Sequence, residues 1–284
     1  MFKDYYQLAK PGIIYGNAIT VIGGFLLAAR GRIDWLLLAA TIAGISLVIG
    51  SACVFNNYVD EDIDMKMERT KDRALAAKRM RPFNALLFGT LLGAIGFDLL
   101  LVQVNFTAAA VAALGFFFYV FIYTMWGKRS SPYGTLLGAI SGATPPVVGY
   151  AAVTGHLDLA ALILFFILAF WQMPHFYAIA IYRMKEYEAA GVPVLPAKAG
   201  VRATKIDMLI YIILFAAAAL ALGAFGYANA LYSGLAAVLS FIWLWFSLQG
   251  FAAKDDNRWA RKMFFYSLIT LTVLFVSMAV SWMA

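Results

Sequence analysis

The 284-residue chain has one cysteine, two histidines and eight prolines, and Asp, Glu, Lys and Arg together make up only 13% of it. A lone thiol excludes an internal disulfide, and Cys53 reads as a small buried apolar residue. Soluble domains carry roughly 25% charged residues, so the shortage of charge excludes a surface fully bathed in water. Period-two alternation of apolar and polar residues is also missing, which excludes a membrane β-barrel. No small-residue cleavage site follows the first apolar run, so that run does not read as a removable leader.

What remains is hydrophobic: 63% of the residues, gathered into runs that match the roughly 20 residues a helix needs to cross a bilayer. The expected fold is all-α, because helices satisfy their own backbone in lipid. Nine spans are expected near 12–29, 35–57, 83–103, 106–126, 133–153, 159–182, 205–226, 229–250 and 260–282, in one domain covering 1–284. Two four-helix pseudo-repeats, near 12–126 and 133–250, would leave the ninth helix as an addition. With these spans, 20 of the 22 lysines and arginines fall on one side, and only Arg30 and Arg32 on the other. Such asymmetry predicts a bacterial inner (plasma) membrane protein with its N-terminus in the cytoplasm and its C-terminus outside. The net charge of +7 thus reflects topology and not nucleic-acid binding.

The second span leaves the membrane on the basic side through Asn56-Asn57-Tyr58-Val59-Asp60-Glu61-Asp62-Ile63-Asp64. Asn56, Asp60 and Asp64 recur at i, i+4 and i+8, which lays an amide and two carboxylates along one helix face, and Asn57 is expected to join them. Like charges at that spacing repel. Mg²⁺, which takes one or two carboxylates plus waters and phosphate oxygens, would relieve the conflict. Asn56, Asn57, Asp60 and Asp64 are therefore the candidate catalytic and metal-binding set, while Glu61 and Asp62 read as solvated charges. Arg69, Lys71 and Arg73, joined by Lys128 and Arg129, are candidates for holding a diphosphate. A mixed-charge solvated loop is the bland alternative.

In the sixth span, Gln172, His175, Ile179, Tyr182 and Glu186 form one continuous stripe beside Trp171 and Phe176. Polar groups at membrane depth usually face an interior cavity. His175 reads as a neutral interhelical hydrogen-bonder, as a ligand to haem iron, or as a proton-transfer group. Pro174 should loosen the helix there. Gly138, Gly142, Ala143 and Pro145-Pro146 should bend or pack the fifth span closely. Asp98 lies toward the other end of the third span, and His156 in a loop.

Several of these runs resemble the UbiA-type intramembrane prenyltransferases. The resemblance rests on Lys10-Pro11-Gly12-Ile13, the run ending at Asp64, Met67-Glu68-Arg69-Thr70 and Gly142-Ala143-Thr144-Pro145-Pro146. Trp171-Gln172-Met173-Pro174-His175-Phe176 and Tyr187 to Pro196 point within it to the haem-modifying branch. The resemblance implies a nine-helix bundle with a central cavity, capped by the loops after the second and sixth spans. It implies Mg²⁺ as cofactor and farnesyl diphosphate and haem B as substrates. A farnesyl group would join a haem vinyl group with addition of water. It also implies a pocket for haem and prenyl chain built from His175, Trp171, Gln172, Phe176, Tyr182 and Glu186, and haem-copper oxidase assembly machinery as a partner. The sequence departs from the superfamily pattern where Glu186 and Glu188 replace a second aspartate motif. A prenyltransferase acting on a quinone precursor, a secondary transporter and a non-catalytic haem-holding subunit are the competing readings.

Overall fold

The computed structural model describes residues 2–282. Among them nine helices are long and apolar enough to span a membrane: Pro11–Ala29, Trp35–Val59, Pro82–Val104, Phe106–Ser130, Gly134–Thr154, Leu159–Tyr182, Val201–Ala224, Ala230–Ala252 and Asp256–Val280. They are called the first to ninth spans below. The seventh and ninth begin earlier than their apolar runs, because their opening turns carry polar residues, and the ninth is capped. Asp255 accepts hydrogen bonds from the Asn257 and Arg258 amides (2.9 and 3.0 Å), which satisfies donors that a helix start leaves free.

Two spans carry π-helical turns, at Leu100–Val104 and Phe118–Gly127. The fifth span breaks at Ala143, between helices Gly134–Gly142 and Thr144–Thr154, as its glycines and prolines predict. Pro145 and Pro146 sit in the first turn of the second half, where their missing N–H groups cost nothing. The sixth span runs on through Pro174 without a break.

The spans close into a ring, with the ninth packed against both the first and the sixth. Away from the basic end the ring is tight. A Cβ on Gly24 would overlap the Pro146 carbonyl, and one on Gly149 would overlap the Val21 carbonyl, so the first and fifth spans touch backbone to backbone. Toward the basic end they diverge around a cavity of about 650 Å³. Short helices, Glu61–Asp64, Met184–Ala189 and Leu195–Ala199, form the loops beside its mouth.

Candidate active site

The second span ends at Val59, and Asp60 leaves helical geometry (φ −87°, ψ 8°) before Glu61–Asp64 resumes it. The expected unbroken helix is thus interrupted for one residue, yet its register survives. Asp60 N donates to Asn56 O (2.9 Å) and Asp64 N to Asp60 O (2.8 Å). Asn56, Asp60 and Asp64 consequently stay on one side of the chain, and all three are buried.

Each is met by a cation. Lys128 donates to Asp60 Oδ2 at 2.5 Å, and Asn56 Nδ2 donates to the same oxygen at 2.8 Å. Asn56 is steadied by Thr124 (3.0 Å) and accepts from the Lys10 ammonium. Arg73 Nη1 lies 2.9 and 2.7 Å from the two oxygens of Asp64. Lys10 has a φ of 53°, a left-handed backbone that non-glycine residues adopt at a cost. Burial pushes its pKa down to about 8.

Not every expected residue joins this group. Asn57 is one position, or 100° of helix, round from Asn56. Its Nδ2 donates to Leu8 O (2.8 Å) and Cys53 O (3.0 Å), tying the short helix Phe2–Leu8 to the second span away from the cavity. Lys71 pairs with Glu68 at 2.6 Å and is half-exposed, because three residues apart in a turn brings those two together. Arg129 reaches across the break at Asp60, donating to Val59 O (2.6 Å) and Asp62 (2.7 Å), and holds the Asp62 carboxyl below its usual pKa. Glu61 and Asp62 are therefore ion-paired, Glu61 with Lys78. Glu186 pairs with Arg183 at 2.8 Å, which turns it aside while Arg183 lines the cavity.

The lining thus has two parts. At the mouth are five cations, Lys10, Arg69, Arg73, Lys128 and Arg183, against the single carboxylate of Asp64. The body is apolar and aromatic, with Trp171, Gln172, His175, Phe176 and Tyr182 from the expected set. Gln172 is held by the Ala139 and Leu168 carbonyls (3.1 and 3.0 Å). Tyr119 and Tyr123 also line it, from a fourth span whose uniformly apolar sequence gave no sign of them. Lys10 was missed as well, although a lysine immediately before a proline at the start of a span was a signal.

No group of three or more His, Cys, Asp or Glu that could hold a metal occurs among the described residues. Mg²⁺ needs only one or two carboxylates when substrate phosphate and water complete its shell. Asp64 lines the cavity; Asp60 is not among the lining residues and is fully buried, but its Oδ1 has no hydrogen bond and lies 3.7 Å from Arg129. Such hard oxygen donors fit Mg²⁺.

A cationic mouth over an aromatic chamber inside nine spans suits an amphiphile with an anionic head and a hydrocarbon body. Residues 17–269 match the model of the UbiA prenyltransferase family, to which the chain belongs. Among its relatives, protoheme IX farnesyltransferase of Enterobacter sp. (strain 638) is 52% identical over 283 residues, covering 100% of this chain and 96% of the relative. The protein of the same name from Escherichia coli (strain K12) shows the same identity and coverage. Solved structures share the fold. A digeranylgeranylglyceryl phosphate synthase superposes with a TM-score of 0.82 at 19% identity, covering 99% of this chain and 98% of that one. A UbiA homolog from Archaeoglobus fulgidus bound to DMAPP and Mg2+ gives 0.71 at 12% identity, covering 95% and 100%. Family membership sets the transporter reading aside.

Proposed function

We propose that this protein transfers the farnesyl group of farnesyl diphosphate to a vinyl group of haem B, with addition of water, giving haem O and diphosphate. The observation that carries the reading is the polarity of the cavity: five cations against one carboxylate at the mouth, and an aromatic body large enough for hydrocarbon. The names of the relatives at 52% identity select the substrates.

Cleaving the allylic C–O bond leaves negative charge on diphosphate and positive charge on the farnesyl carbon. Asp60 and Asp64, with Asn56, would hold Mg²⁺, which as a Lewis acid stabilises the departing diphosphate. Lys10, Arg69, Arg73 and Lys128 add charge-assisted hydrogen bonds to its oxygens. Trp171, Phe176 and Tyr182 shield the farnesyl cation with their ring faces and exclude stray water. The new carbon–carbon bond forms at the vinyl terminus. Water then adds at the neighbouring carbon and loses a proton, so atoms and charge balance. His175 Nε2 is available to hold the haem iron, which presents the vinyl group. The same reading puts the basic end in the cytoplasm of a bacterial inner membrane, and delivers product to haem-copper oxidase assembly machinery.

Purified protein incubated with haem B, farnesyl diphosphate and Mg²⁺ should yield a product heavier than haem B by farnesyl plus hydroxyl, detected by mass spectrometry. Asp60→Asn and Asp64→Asn keep the shape and should each lower turnover by at least about 100-fold, or about 2.7 kcal/mol of transition-state stabilisation. Unchanged turnover in either variant would reject the metal-site assignment.

A further inference from the structure

The hydroxyl that touches His175 comes from the ninth span. Ser267 is fully buried, and its Oγ lies 2.6 Å from the Phe264 carbonyl oxygen and 2.7 Å from His175 Nδ1. A serine hydroxyl has one proton and two lone pairs, and a carbonyl oxygen only accepts. Two oxygens at 2.6 Å need a proton between them, so the Ser267 proton goes to Phe264. Oγ can then only accept from its second neighbour, which leaves Nδ1 as the protonated nitrogen of His175. Nε2 keeps its lone pair, since the hydrogen bond at one ring nitrogen sets the state of the other.

The backbone of the same residue fixes the ring plane. Trp171 Nε1 donates to Ser267 O at 2.8 Å. The Trp171 ring stacks on the imidazole with centroids 4.6 Å apart and planes at 22°, and Phe264 packs against it at 4.8 Å. His175 lines the cavity and its Nε2 has no hydrogen-bond partner among the described residues, whereas Ser267 does not reach the lining.

We propose that Ser267 is a positioning residue, which fixes the Nδ1–H tautomer of His175 and turns an unprotonated Nε2 toward the cavity. Only the identity of what meets Nε2, the haem iron, rests on the function proposed above.

The test uses the full chain in detergent, labelled with ¹⁵N-histidine. His156 lies in a connecting loop, hydrogen-bonded to Thr154, so His156→Gln leaves one imidazole signal. Without haem, that signal should show a protonated Nδ1 and a bare Nε2. Ser267→Ala should shift the proton toward Nε2, and Ser267→Thr should restore the original pattern. A protonated Nε2 in the unsubstituted protein, or a tautomer unmoved by Ser267→Ala, overturns the proposal. Titration with haem B should then show Ser267→Ala binding roughly 10- to 100-fold more weakly, the usual loss when the partner of a ligating histidine is removed. If the tautomer is as stated but the haem spectrum lacks nitrogen ligation, the hold of Ser267 on the ring stands and the iron-ligand role of His175 falls.

Discussion

Asp60 is fully buried between the Lys128 ammonium and the Asn56 amide, so a substitution there acts on the fold as well as on the proposed chemistry. Removing one member of such a pair strands the other charge away from water. Asp60→Ala should therefore lower stability by about 3–5 kcal/mol. Asp60→Ala combined with Lys128→Met should recover most of that loss while remaining inactive. Thermal unfolding of the purified variants measures the first effect and the haem O assay the second. Equal stabilities for the single and double variants would mean that Lys128 finds another partner. Much of this cluster was legible in the sequence, because spacing of four places side chains on one face whether or not the helix pauses at Asp60. The diversion of Asn57 to the Leu8 carbonyl was not, since its partner is 49 residues away. The role of Ser267 was hidden for the same reason: a serine in an apolar span carries no mark of which neighbour it will meet.

At the scale of elements, apolar run length located all nine spans, because the bilayer rewards a fixed length of helix and the chain has little else between turns. The π-helical turns at Leu100–Val104 and Phe118–Gly127 escaped notice, since they alter the winding without altering composition. Breakage of the fifth span was readable from its glycines and prolines. The reason glycine is required was not, since it lies in another helix: the first and fifth spans meet backbone to backbone. Gly149→Leu should pry them apart and cost about 1–3 kcal/mol, as overfilling a packed contact does. A lowered unfolding temperature is the expected reading, whereas Gly234→Leu, with open space around it, should leave that temperature unchanged.

For the whole molecule, charge gave the axis. Twenty of 22 basic residues lie at one end, and the five cations that line the cavity are among them, so the proposed diphosphate site and the basic loops share a side. If that side is cytoplasmic, a reporter that works only outside the cytoplasm should be active when fused after the ninth span and silent when inserted between Glu188 and Pro193. The reverse pattern would invert the proposed orientation. The sequence presented the ninth span as an appendage to two four-helix sets. In the structure it closes the ring against the first span and brings Ser267 to His175. Because Asp256–Val280 follows the other eight spans along the chain, the wall that carries Ser267 joins the cavity after the residues at its cationic mouth have been laid down.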